Sequence, residues 1–179
     1  MKNVLAAGVA AAALVSAASA LDVTYTFTNQ VWTGFNFNEA YAAGSLTGTL
    51  TGASVNAVLN ASTSYTYADD LCIYVAGSPL AFGGLLQCGG FSNLSATQRY
   101  SWANGASDAA NTPVSGTVNF TTGIDMAANP TMSIWIGNGY GATGTSGTWT
   151  GTITLIGVVP APGAIALLGL AGLTGRRRR

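Results

Sequence analysis

Histidine is absent from all 179 residues, and the only lysine is Lys2. Ser-His-Asp and Cys-His catalysis therefore lack their base, and Cys/His zinc sites lack their imidazole. Cysteine occurs twice, at Cys72 and Cys88, so no Cys-x-x-Cys redox pair exists. Six acids are present: Asp22, Glu39, Asp69, Asp70, Asp108 and Asp125. Nothing in their spacing sets two carboxylates across a scissile bond, as glycoside hydrolysis requires. The chain is not expected to be an enzyme. Between residues 21 and 157, no stretch keeps a helical period of apolar residues over three turns.

Basic charge is also missing from the middle of the chain. Lys2 and Arg176 to Arg179 are five of the six basic residues, which leaves Arg99 against six acids, a net charge of about −5 between the ends. Such a body has no patch to neutralise phosphates, and nucleic-acid binding is excluded.

The two ends read as targeting segments. Lys2, the apolar run Val4 to Val15 and the small residues Ala18-Ser19-Ala20 predict a signal peptide over residues 1–20, cleaved after Ala20. At the other end, Val158-Val159-Pro160-Ala161-Pro162-Gly163 precedes an apolar run from Ala164 to Gly175, then four arginines. Pro160 and Pro162 are expected to break the last strand. A helix over 163–175 would be about 20 Å long at 1.5 Å per residue. That is short against a hydrocarbon core of about 30 Å unless the flanking residues help. The arginines would stay on the cytoplasmic side. Three readings are open: a core helix with a basic tip, a permanent anchor, or a removable sorting signal.

The third reading rests on a resemblance. Val159, Pro160, Pro162, the run Ala164 to Gly175 and the cluster Arg176, Arg177, Arg178 and Arg179 resemble the PEP-CTERM sorting signal of Gram-negative bacteria. Ala161 stands where that family usually carries Glu. The resemblance covers residues 158–179 and implies an exosortase-type membrane protease as partner. It implies transient anchoring in the inner membrane and a final place at the cell surface or in extracellular matrix. It implies nothing about the fold or activity of the body, residues 21–157.

The body alternates apolar and polar residues with period two. Val23, Tyr25 and Phe27 alternate with threonines; Trp32, Phe35 and Phe37 suggest a second, aromatic strand. Strands are expected over Ala43–Gly52, Ala53–Ala61, Arg99–Ala103, Val114–Thr122, Met132–Ile136 and Trp149–Leu155. In the segment from Leu71 to Ala76, both faces are apolar, which predicts a central strand. Gly83-Gly84 and Gly89-Gly90 predict a loop holding Cys88. The expected fold is all-β, a single β-sandwich of jelly-roll type between the signal peptide and a C-terminal hydrophobic helix. In an exported body Cys72 and Cys88 are expected to form a disulfide; two separate buried thiols are the alternative.

Candidate binding residues are few. Asp69 and Asp70 are adjacent and, with carbonyls and either Asp108 or Asp125, offer hard oxygen ligands for Ca²⁺, against the plainer reading of solvated turn aspartates. Trp102 and Trp135 are the tryptophans expected to be exposed enough to stack on a sugar; core packing is the ordinary alternative. Gly139-Tyr140-Gly141-Ala142-Thr143-Gly144 matches the spacing of a dinucleotide loop, but the Thr-rich strand after it supplies no helix N-terminus for a pyrophosphate. The strands are faced with Thr, Ser, Gly and Asn and have almost no guarding charge, which predicts lateral self-association. The expected function is structural or adhesive, with a surface carbohydrate-binding module as the alternative.

Overall fold

The computed structural model describes residues 22–78, 84–91 and 96–162. The expected signal peptide and the apolar helix and arginines of the tail lie outside them. The described chain is all-β: nine strands, one 3₁₀ turn at Ala68–Asp70, and no helix long and apolar enough to cross a membrane.

One sheet runs in the order β1 (Val23–Thr33), β9 (Ser146–Pro160), β3 (Leu46–Thr63), β7 (Thr112–Asp125). The other runs β2 (Phe37–Tyr41), β8 (Ser133–Asn138), β4 (Leu71–Ala76), β5 (Gly84–Cys88), β6 (Ala96–Tyr100). All pairings are antiparallel except β5 with β6. Leu50, Leu59, Ile153 and Leu155 of the first sheet and Leu71, Ile73, Ile134 and Ile136 of the second share one core. The outer face of the first sheet is polar, and Thr24 and Thr154 join hydroxyls across β1 and β9 at 2.8 Å.

β4 is the central strand its composition predicts. All six of its residues are buried. Leu71, Ile73 and Val75 enter the main core, while Cys72, Tyr74 and Ala76 pack with Phe37 and Trp135 on the other face.

This geometry corrects the disulfide expectation. Cys88 pairs with Ile73 across β4 and β5, so its side chain lies on the core face, where it joins the main cluster. Cys72 precedes Ile73 and points to the opposite face, as adjacent strand residues must. Both thiols are free and buried, with the sheet between them. Burial pushes the Cys88 thiol up to about 12 and the Cys72 thiol well above its ordinary range.

Several element boundaries also differ. Cys88 ends a strand, not a loop: its flanking glycines delimit the five-residue β5. Trp32 lies in the last residues of β1 and Phe37 opens β2, so there is no separate aromatic strand between them. The segments around Gly52 join into the 18-residue β3. The Thr-Gly stretches of β3 and β9 lie at opposite ends of their shared ladder, Gly48 opposite Val158 and Gly147 opposite Ser62, and the ladder shifts register between Gly48 and Gly52. Gly48 (φ +94°) and Gly157 (φ +89°) sit there so close that a Cβ on Gly48 would stand 2.6 Å from the Gly157 carbonyl oxygen. Finally, β9 continues three residues past the expected boundary at 157. Val158, Val159 and Pro160 pair with Gly48, Thr47 and Leu46, and the Ala161 N–H donates to the Ser45 carbonyl at 2.8 Å. Pro160 is tolerated because it ends the strand where only β3 is still paired with it.

The free edge of β7 is guarded by side chains of β6 and of the loop that follows it. Gln98 takes the Thr122 N–H on Oε1 (3.2 Å) and donates Nε2 to the Thr122 carbonyl (2.9 Å). The Tyr100 hydroxyl accepts from the Thr121 N–H, and Asn104 Oδ1 accepts from the Ser115 N–H at 2.8 Å. Neutral amide and hydroxyl groups thus occupy donors that a pairing strand would need, a role usually given to charge or proline.

The cysteine geometry has a direct test. Both thiols should remain unreactive to a thiol reagent in the native protein and both should react after denaturation without reductant; melting with and without dithiothreitol should give the same midpoint. No thiol released in denaturant would mean a disulfide.

Candidate functional site

At the end of the fold where β4 begins, the chain makes a 3₁₀ turn over Ala68–Asp70. This turn is the meeting point of several separate segments. The Ala68 N–H donates to Ser107 O (2.9 Å) and the Asp69 N–H to Gly105 O (3.2 Å). The Gly90 N–H donates to Asp69 O (2.8 Å) and the Gly139 N–H to Asp70 O (2.7 Å). Two buried indoles complete the set: Trp149 Nε1 donates to Ala68 O (3.2 Å) and Trp102 Nε1 to Leu71 O (2.7 Å). Buried backbone groups require such partners, and here the partners fix different loops in place.

Three glycines make the convergence possible. A Cβ on Gly89 would stand 2.2 Å from Leu71 O and 2.3 Å from Trp102 Nε1. Gly90 and Gly139 face each other so closely that a Cβ on Gly139 would lie 2.6 Å from the Gly90 Cα. The dinucleotide-like spacing is therefore explained by packing: Gly139 meets Gly90, Gly141 lies against the Phe35 ring, and the chain then enters β9.

Asp70 is a brace. It is 4% exposed; its Oδ2 accepts the Tyr67 N–H (2.7 Å) and its Oδ1 the Phe91 N–H (3.1 Å). Burial, partly offset by these hydrogen bonds and reinforced by the charge of Asp69, lifts its carboxyl to about 6. Asp69 beside it is half-buried, and burial raises its carboxyl too.

In front of the two aspartates lies a cavity of about 310 Å³, lined by Tyr65, Tyr67, Asp69, Asp70, Gly89, Gly90, Phe91, Ser101, Trp102 and Tyr140. That is the lower end of the range for ligand pockets, roughly 300–1,000 Å³. Phe91 and Tyr140 stand edge to face, ring centroids 5.9 Å apart. Phe91 is 79% exposed and Tyr65 73% exposed. Ser64 (φ +55°) and Tyr65 (φ +62°) both hold the left-handed conformation that side chains disfavour. Exposed aromatic surface and backbone strain together add nothing to folding; both are common at binding sites.

The structure thus brings Asp69, Asp70 and Trp102 to one place. Trp102 is a buried wall, its N–H committed to Leu71. Trp135 is elsewhere, half-buried on the outer face of the second sheet, its N–H donated to Ala76 O at 3.1 Å. Asp125 caps its own turn through the N–H groups of Ala127 (2.9 Å) and Ala128 (3.2 Å), and Asp108 is exposed and does not line the cavity. Among the described residues, no group of three or more His, Cys, Asp or Glu side chains is placed to share a cation. Sequence reasoning misses the aromatic rim, although the alternation Tyr65-Thr66-Tyr67 ahead of the aspartates is a visible signal. Comparisons with protein-family models, with curated proteins and with solved structures returned no match.

The raised Asp70 carboxyl sets a pH dependence. Its folded pKa of about 6 lies above the ordinary 3.8, so the folded state holds the proton more tightly than the unfolded chain. Stability from this group is full below about pH 4 and is lost as the pH rises through 6. Thermal or urea unfolding should show stability rising by about 2 kcal/mol from pH 7 to pH 4. Asp70→Asn, which keeps one acceptor and carries no charge, should flatten that slope while lowering stability at pH 4. An unchanged slope in Asp70→Asn would rule out this assignment.

Proposed function

We propose that the protein is an exported surface or matrix protein whose body is a carbohydrate-binding, adhesive module. The observation that carries this reading is the 310 Å³ cavity in which four partly or fully exposed aromatic rings meet a half-buried carboxylate. Aromatic faces give stacking area for the C–H faces of a pyranose; Asp69, Ser101 and the tyrosine hydroxyls supply hydrogen-bond partners for its hydroxyls. The strained Tyr65 and the braced Asp70 support a pre-formed site, which limits the ordering cost of binding. Asp70 accepts two backbone hydrogen bonds and is nearly out of reach of solvent, which favours a structural role for it over proton transfer to a substrate.

The fold of this module is, on our reading, a jelly roll. The sheet orders β1-β9-β3-β7 and β2-β8-β4-β5 interleave as two nested Greek keys do, with β6 added at one edge. The loops that close one end of this arrangement carry the cavity.

Export and sorting rest on the sequence of the two ends, through the signal peptide and the PEP-CTERM-like tail. The body offers one supporting feature: Val159 and Pro160 are anchored in β9, so the chain leaves the sheet at Ala161, just ahead of Pro162 and the apolar run. Protein recovered from the surface of its native host should have a mass lacking residues 1–20 and everything beyond about Pro162. A chain still ending in Arg179 would mean a permanent anchor.

Binding is tested on a glycan array followed by calorimetry. A hit should be weakened about tenfold by Phe91→Ala or Tyr67→Ala, since stacking on one ring is worth on the order of 1 kcal/mol. Trp135→Phe should leave it unchanged. Binding that survives the rim variants and fails in Trp135→Phe would move the site to the outer face of the second sheet.

A further inference from the structure

The cavity is unusual for a sugar site in its charge. Two carboxylates line it, and none of its lining residues among the described ones is basic. The Asp69 carboxylate is half-buried and accepts no hydrogen bond from any other described residue, unlike Asp70, whose two oxygens are both occupied. Burial raises both carboxyls, and the charge of Asp69 raises that of Asp70 further. Tyr67, Phe91 and Tyr140 line the same space, and the faces of aromatic rings carry the negative end of the ring quadrupole. Among the described residues, the side chains that line this cavity therefore bring negative charge and no positive charge, offset only by the backbone N–H groups around the two carboxyls. The rest of the body adds to it, with Arg99 against six acids. An anionic polysaccharide would be repelled, and a neutral one would satisfy the hydrogen bonds of Asp69 but leave its charge uncompensated.

We infer that the ligand unit taken up by this cavity carries a free ammonium group: an amino sugar with its amine unacylated, seated between the aromatic faces with its nitrogen on Asp69. This rests on the cavity being the saccharide site proposed above and names the class of sugar. The ammonium forms a charge-assisted hydrogen bond with the Asp69 carboxylate and a cation–π contact with the rim. Loss of the acyl group is what the site distinguishes, because acylation removes both the charge and two of the three N–H donors.

The test is calorimetric titration of the full-length protein in mild detergent with four probes: a glucosamine tetramer, an N-acetylglucosamine tetramer, a galacturonic acid tetramer and a lysine tetrapeptide. The glucosamine tetramer should bind roughly tenfold tighter than its acetylated counterpart, the equivalent of one charge-assisted contact. Asp69→Asn, isosteric and with no inter-residue side-chain bond to lose, should bring the two within about threefold at a melting midpoint no lower than that of the parent protein. Added salt should weaken the glucosamine arm and leave the N-acetylglucosamine arm unchanged. Equal or tighter binding of the acetylated or acidic tetramer would overturn the ammonium assignment and leave the saccharide site standing. A lysine peptide binding as tightly as glucosamine would overturn the sugar and make the partner a basic peptide. No heat from any probe, with a glycan array also blank, would overturn both this inference and the binding function beneath it.

Discussion

Backbone groups withdrawn from water must find partners, and at the loop end of this molecule the partners for one short turn come from all over the chain. Ala68 to Leu71 receives hydrogen bonds from Gly90, Gly139, Trp102 and Trp149 and gives them to Gly105 and Ser107. The turn sits directly on β4, the fully buried centre of the second sheet, so it inherits the rigidity of the core. Each bond is worth only about 1 kcal/mol net, but leaving any of these buried groups unpaired costs more. The loops are therefore held together or released together.

What the arrangement leaves exposed is as informative as what it buries. Asp70 holds the Tyr67 and Phe91 amides, and both of those rings are exposed and line the cavity with Asp69. The glycine pair Gly90 and Gly139 lets two loops approach to van der Waals contact, so Phe91 and Tyr140, their neighbours in sequence, meet edge to face. The cavity is thus a by-product of how the turn is satisfied. Its walls cannot move independently without breaking the same set of hydrogen bonds, and pre-organisation of this kind reduces what a ligand must spend on ordering.

Much of the framework was legible from residue patterns. Period-two alternation located most of the strands, and the two apolar faces of Leu71 to Ala76 located the central one. Boundaries were harder wherever glycine and proline carried two meanings. Gly84 and Gly89 read as loop because their cost in a strand is plain in sequence, while the pairing of β5 with β4 that offsets it is not. Pro160 read as a stop after residue 157 because its position beyond the last β1 pairing is a property of the assembled sheet. The disulfide expectation failed on parity: Cys72 and Cys88 are close along the chain but fall on opposite faces of one sheet, and only the register of β4 against β5 shows it. The aspartate pair and Trp102 each carried a local signal. That they share a site depends on contacts separated by 31 residues for Trp102 to Leu71 and 81 for Trp149 to Ala68, which no local pattern encodes.

The central claim is that this one turn holds a pre-formed pocket, and native-state hydrogen exchange at single-residue resolution addresses it most directly. In the ligand-free protein the amides of Tyr67, Gly90, Phe91 and Gly139 should be protected nearly as well as those of β4, although all four lie outside the regular strands. They should lose protection together in Trp149→Phe, which removes the donor to Ala68. Exchange at the rate of an open loop, or protection that differs independently from one amide to the next, would mean that the loops are not tied to a common centre and that the pocket is not pre-formed.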